Sequence, residues 1–532
     1  MKKILVKNGD IVDGTGRKAY KGDILFDSRI LEIGDHIEEA RGDVVYDAAG
    51  QIVAPGFIDP HSHADLSILE DRDQSFAVCQ GVTTQVVGLC GLGFVPLPRD
   101  KMIETMKYNA GLFGYKTAYN DYDLSGFESY MKLAAGAATN IAVSATHNAA
   151  RIAATGFTNR TGDKKKRYKI MKQIINEAMD AGCIGISTGL SYYPCAFADY
   201  EELKEIAAQV KKRDGTFLMH IRYPKPDKPY EALQEIIRLG LETKARIHIL
   251  HYRTKYPLDY GHPEVLLDMF HKANRDGGDF TLETLPYLSG STFIHTILPA
   301  WVAEGGINSI LKRLKDPFLR PRIKKEMEYL LSITALGNGK PPRFGHVGGH
   351  PEYGGKLIRD VAKLRGQSIE DMFIELMIDS GLDMNYVGNE AEEDPEVANI
   401  LMNDIMTLLG SSLYLVGSDA MPYGEYPHPR TYGCYAKMLR LTRERSIPIE
   451  KTIAKITSAP AKRLGIPDRG ELAENRAADL VVFDEKTIRD NADFNTPLKS
   501  PSGIRFVFVN GVLTVDRGIL TGNHSGQALR KK

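Results

Sequence analysis

The sequence predicts an α/β protein: a (β/α)8 barrel of the TIM type, with a small discontinuous β-sandwich domain built from both termini and a helical lid insertion. Three observations predict it. The middle of the chain alternates strand-like and helix-like segments, with eight strands in all. Both ends carry short strands punctuated by Asn, Gly and Asp turns. One late connection is far too long for a single helix.

The N-terminal segments KKILVKNGDIVDGTG and KGDILFDSRILEIG read as hairpin strands. The C-terminal segments ADLVVFD and GIRFVFVNGVLTVDRG repeat the texture, with a two-residue turn at Asn510-Gly511. Residues 1–54 and 470–532 are therefore expected to meet as one small domain around a barrel of residues 55–469.

The barrel strands are expected at 52–59, 83–89, 140–147, 183–189, 216–221, 246–252, 280–287 and 412–418. Helical runs such as YKIMKQIINEAMDAG and YEELKEIAAQVKKRDG lie between them. The second ends in two Lys, Arg and then a Gly, which suits a helix stop. The run Lys164-Lys165-Lys166 reads as a solvated face. The long connection holds a lid insertion expected at 288–350, including LPAWVAEGGINSILKRLKD, which would cover the barrel mouth.

Composition narrows the function classes. The 532 residues are 43% hydrophobic and 26% charged, ordinary for a globular chain of one large and one smaller domain. Lys plus Arg equals Asp plus Glu at 68 each, so there is no electrostatic footprint for nucleic acid or an anionic membrane. No apolar stretch has signal-peptide or membrane-span character. Five scattered cysteines form no disulfide framework, and a reducing cytoplasm is expected.

Barrel active sites sit at the C-terminal ends of the strands. Five of the expected strands end in residues able to bind metal. The first ends in Asp59-Pro60-His61-Ser62-His63, and residues two apart in an extended chain face the same side. The second ends at Cys90, the fifth at His220, the sixth at His251 and the eighth at Asp419. Singly, each has a plain structural reading, such as a core cysteine or a capping aspartate. Together they converge on one rim.

Imidazoles with a thiolate suit zinc, whereas magnesium or calcium would want oxygen ligands. The set is sized for one tight zinc and a second, weaker one. Asp419 is placed to take a proton from water and pass it to a leaving nitrogen. Arg222 shares the face of His220 and His147 ends the third strand, so both are candidates near the mouth. His248, out of phase with His251, is expected to pack under a helix. The glycines Gly88, Gly91 and Gly93 lack dinucleotide-fingerprint spacing and read as a tight turn around Cys90.

The stretch PGFIDPHSHAD resembles the first-strand signature of the amidohydrolase superfamily. VVGLCG, AGCIGISTGLSYYP, TLETLPYLSGSTFIHTILPAW, VGSDAMPYGEYPHPRTYG and TSAPAKRLGIPDRGELAENRAADLVVFD are similar to the N-acyl-D-amino-acid deacylase (D-aminoacylase) family, over nearly the whole chain. The resemblance implies zinc-dependent hydrolysis of the amide bond of N-acyl-D-amino acids, small-molecule substrates. It implies a tight zinc on Cys90, His220 and His251, and a weak or vacant site at His61, His63 and Asp419. It further implies that Asp419 is general base and acid, and that Tyr192 and Tyr287 help hold the substrate carboxylate. Arg253 stands where the family has a lysine, and it too can clamp a carboxylate. After His220 the family's acidic pair is absent, while Arg222 is kept.

Two other readings remain open at this point. Cyclic-amide hydrolases such as hydantoinases or dihydroorotases bridge two metals with a lysine at the end of strand four. Here that strand ends in Ser187-Thr188-Gly189-Leu190. A non-catalytic binding relative would have lost ligands that this chain retains.

Overall fold

The computed structural model describes residues 3–159, 162–225, 227–333, 342–388 and 394–531. Eight strands form the barrel: β1 (Phe57–Asp59), β2 (Val82–Val87), β3 (Asn140–Val143, continued by Ala145–Thr146) and β4 (Gly185–Gly189), then β5 (Thr216–His220), β6 (Arg246–Ile249), β7 (Asp279–Thr284) and β8 (Tyr414–Val416). Each pairs in parallel with the next. The ring closes through a parallel bridge between Ser62 and Ala420, and the Asp419 amide donates to the His61 carbonyl at 2.9 Å. Nearly every strand position is buried, as expected where helices cover the outside of a parallel sheet. The outer helices are amphipathic. Tyr200–Lys212 buries Leu203, Ile206, Ala207 and Val210 at helical spacing, and Asp199 caps its start through the Glu202 amide. That helix stops before Asp214, at φ +52°, one residue earlier than the glycine.

The stretch expected as the first barrel strand is two strands, broken at Gly56. Ile52–Pro55 belongs to the terminal domain, where it pairs antiparallel with Leu480–Phe483. This pairing joins the N-terminal strands to those of the C-terminal half in one nine-stranded sheet. The sheet wraps a core of Val6, Phe26, Val53, Leu480 and Phe508. Asn510 and Gly511, at φ +49° and +78°, turn Ile504–Val509 into Val512–Asp516, the geometry a two-residue hairpin requires.

Two expectations are corrected. The last residues of the 470–532 segment leave the terminal sheet. Ala528–Leu529 pairs in parallel with Ile141 and Ala142 of β3, filling the side of β3 that does not face β2. The insertion after β7 runs well past residue 350 and is not wholly helical. The strands Ser291–Phe293, Arg343–Val347 and Met384–Val387 form an antiparallel sheet with Met384–Val387 in the centre. The helices Gly306–Lys315, Arg320–Ile333, Ile358–Arg365 and Ile369–Asp379 surround it. Residues 334–341 of the expected lid lie outside the described residues. Among the described residues, no helix is long and apolar enough to cross a membrane.

Candidate metal centre

At the C-terminal rim the strand ends deliver His61, His63, Cys90, His251 and Asp419 into two overlapping groups. His61, Cys90 and His251 form one, and His61, His63 and Asp419 the other, each with its donor atoms within 4.8 Å of one another. The Cys90 Sγ lies 3.4 Å from His61 Nε2 and 3.3 Å from His251 Nε2. Asp419 Oδ1 is 3.4 Å from His61 Nε2 and 3.2 Å from His63 Nε2. His220 stands outside both groups, its ring 4.6 Å from that of His251. His61 thus stands with Cys90 and His251, and His220 packs on His251 from beside them.

Three of these residues sit in left-handed backbone: Cys90 at φ +52°, His251 at +36° and Asp419 at +50°. Non-glycine residues adopt this region at a cost, and it recurs at functional sites. The strain at Cys90 is held by its neighbours. Gly91 donates to Ser187 Oγ at 3.0 Å, Ser187 donates to the Gly88 carbonyl at 2.6 Å, and Gly88 donates to Asp65 at 2.8 Å.

The donor set fits zinc. Sulfur and imidazole nitrogens converge with one carboxylate, and Nδ1 of both His63 and His220 is buried without a hydrogen-bond partner. Burial keeps His251 and His220 neutral, His251 down at about 4, with Asp419 opposing the shift in His251 and His251 adding to that in His220. A neutral imidazole is the ligating form. Burial pushes the Cys90 thiol up to about 11, against the pull of His61. Burial also opposes ionisation of Asp419, but Arg430 and His61 outweigh it and hold the carboxyl well below its usual range. Arg430, 1% exposed, contacts Asp419 Oδ2 at 2.8 Å.

Several supporting groups escaped the sequence reading. Glu283 on β7 bonds His61 Nδ1 through one oxygen and His248 Nε2 through the other, at 3.1 Å. His248 in turn meets Thr281 Oγ1 at 2.7 Å. Burial works against the Glu283 charge, yet His61 and His248 hold it down at about 2. His248 therefore braces the centre and does not merely pack under a helix. The alternation that separated it from His251 ends with β6 at Ile249, and the chain then turns. A glutamate inside the apolar run FTLETLPY was a readable signal. Arg430, eleven positions after Asp419 at a helix start, had none.

The candidate substrate residues separate. Tyr192 is at the centre, its ring 4.7 Å from His220 and its hydroxyl 3.1 Å from Thr292 Oγ1. Tyr287 is buried against the helix Arg430–Glu444. Its buried hydroxyl packs against Gly433 without a hydrogen-bond partner, and Lys437 Nζ lies 3.8 Å from its ring centre. Arg253 bonds the carbonyls of Leu288 and Thr254. Arg222 is turned to the carbonyls of Ala196 and Ala198 and to Glu235, because the chain leaves β5 directly after His220. Both ring nitrogens of His147 are engaged, with Thr188 at 2.8 Å and Glu202 at 3.0 Å. Glu202 also pairs with Arg151 and Arg167, so His147 belongs to a buried ionic network behind the rim.

Residues 44–515 match the model of the amidohydrolase family. The chain is 29% identical to a D-aminoacylase of Alcaligenes xylosoxydans xylosoxydans, covering 99% of this chain and 97% of that one. It is 28% identical to an N-acyl-D-glutamate deacylase of the same organism, covering 96% and 92%. The structure of an N-acyl-D-glutamate deacylase of Bordetella bronchiseptica, complexed with zinc and a phosphonate mimic of the tetrahedral intermediate, superposes with a TM-score of 0.80. It is 26% identical and covers both chains fully. A D-hydantoinase from Thermus, 17% identical with a TM-score of 0.56 and 99% coverage of each chain, shares the fold. With a matching model that spans most of its length, the chain belongs to the amidohydrolase family.

Proposed function

We propose that this protein hydrolyses the amide bond of N-acyl-D-amino acids, releasing a carboxylate and a free amino acid. The observation that carries this reading is the Cys90 thiol set 3.3 and 3.4 Å from the Nε2 atoms of His251 and His61 at the barrel rim. The names of the relatives support the substrate class. Cys90, His61, His251 and His220 would hold the tighter zinc, and His63 with Asp419 a second, weaker one. When bound, zinc supplies Lewis acidity toward the acyl carbonyl and the attacking water. Asp419, kept ionised by Arg430, takes the proton from that water and delivers it to the leaving nitrogen. Tyr192 lines the substrate side beside His220, and Arg253 lies toward the insertion, where a substrate carboxylate would seat.

A cyclic-amide reading is weaker. The end of β4 offers Ser187, Thr188 and Gly189 but no lysine to bridge metals, and the hydantoinase likeness is one of fold. The five buried, unpaired cysteines suit a reducing compartment such as the cytoplasm. The test is a panel of N-acetyl D- and L-amino acids presented to zinc-loaded protein. Hydrolysis confined to D substrates is expected, and no turnover of any acylated D-amino acid would overturn the proposal.

A further inference from the structure

The loop from Asp419 to Arg430 carries both members of the buried ion pair, and it is gripped halfway along by the insertion. His346, on the strand Arg343–Val347, is the gripping residue, with only 9% exposure. Its Nδ1 lies 2.8 Å from Glu425 Oε2, and its Nε2 lies 3.0 Å from the Tyr423 hydroxyl and 3.4 Å from Asp383 Oδ2. The Tyr423 hydroxyl also donates to the Asp383 carboxylate at 3.0 Å. The Tyr423 ring packs at 4.7 Å on the His346 ring, and Gly424 at φ +97° lets the loop lie against His346 Cβ. A backbone bond from Tyr426 to Gly345, 3.0 Å, completes the attachment.

On its other side Tyr423 packs against Gly114, in the loop after β2. Phe113 beside it stands 6.1 Å from the His63 ring. The insertion reaches this loop separately, through Asn385 to the Gly111 carbonyl at 2.7 Å. His346 thus ties the insertion to the Asp419 loop, and Tyr423 and Asn385 extend the attachment to the loop flanking His63.

We infer that His346 is a positioning residue: from the insertion it holds the Asp419–Arg430 loop in its working geometry. The inference rests on the reading of Asp419 as the proton-transferring group. The charged groups facing His346 favour its cation, Asp383 from the turn before the central insertion strand and Glu425 from the loop, and the uncharged Tyr423 hydroxyl is the remaining titratable group against it. Burial opposes the charge, but the Asp383 and Glu425 contacts outweigh it and raise the His346 pKa above 6.5. The clasp is therefore strongest below that raised value and loosens as pH rises through it.

The experiment compares zinc-loaded wild type with His346→Gln and Glu425→Gln by amide hydrogen exchange over residues 420–427 and by steady-state kinetics across pH. Glu425 is on the rim, 40% exposed, so its variant folds even where His346→Gln does not. Loss of one charge-assisted contact is expected to speed exchange there ~10-fold and to lower kcat similarly, with KM and zinc content little changed. The difference from wild type should shrink as pH rises. Exchange over 420–427 identical to wild type in both variants would overturn the inference, and that readout stands whether or not the protein cleaves any acylated amino acid.

Discussion

Glu283→Gln isolates the support beneath the metal centre. The carboxylate accepts from two imidazoles at once, His61 Nδ1 and His248 Nε2, with both ring faces and the carboxylate at most 1% exposed. A carboxamide is nearly isosteric but has one accepting oxygen and one donating nitrogen. It can satisfy only one imidazole N–H, so the other ring must change tautomer or lose its bond. If His61 changes, its proton moves to Nε2, the atom that faces Cys90 and Asp419, and its ligating lone pair there is gone. Loss of such a supporting bond typically costs 10- to 100-fold in metal affinity, about 1.4 to 2.8 kcal/mol. The assay is zinc competition against a chelator of known affinity, with thermal unfolding of the metal-free protein alongside. A folded Glu283→Gln protein that binds zinc as tightly as wild type would refute the idea that Glu283 sets the His61 tautomer.

Cys90→Ala should lose bound zinc and nearly all turnover, read by metal analysis and a hydrolysis assay, because a methyl replaces the donor shared by His61 and His251. Gly91→Ala should destabilise by about 1–3 kcal/mol in urea unfolding and lower zinc content. Its new Cβ would stand 2.4 Å from the Gly189 nitrogen at φ +67°, displacing the Cys90 turn. The His147 network predicts a pH signature. His147 is buried, yet its contacts, with Cys195 and Glu202, raise it from 6.5 to about 9, so its stabilisation is full below 6.5 and lost as pH rises through 9. Glu202 is lowered from 4.5 to about 2 by His147 and Arg151 against burial, so its stabilisation is present above 4.5 and lost as pH falls through 2. Urea midpoints of wild type and His147→Gln should converge between pH 6.5 and 9, and parallel curves would contradict the assignment.

The barrel strands were legible because each is a short apolar run between turn signals, and parallel strands buried on both faces must read that way. The candidate ligand residues were legible because strand ends in a closed barrel converge on one rim, whatever the details of packing. Local periodicity stopped being a guide where the chain left its strands. The positive φ at His251 broke the alternation used to judge His248, and the turn after β5 sent Arg222 to backbone carbonyls. Sequence spacing also gave no sign that the helix Arg430–Glu444 would pack against the Tyr287 hydroxyl at Gly433.

Residue type and strand-end position, both written in the chain, determined that imidazoles, a thiol and a carboxylate gather at one rim and which side chains reach it. Tertiary structure alone decided that His61 joins Cys90 and His251, that Glu283 bridges two imidazoles, and that Arg430 faces Asp419. Those contacts join residues up to 222 positions apart, and a hydrogen bond depends on tenths of an ångström that no sequence spacing encodes.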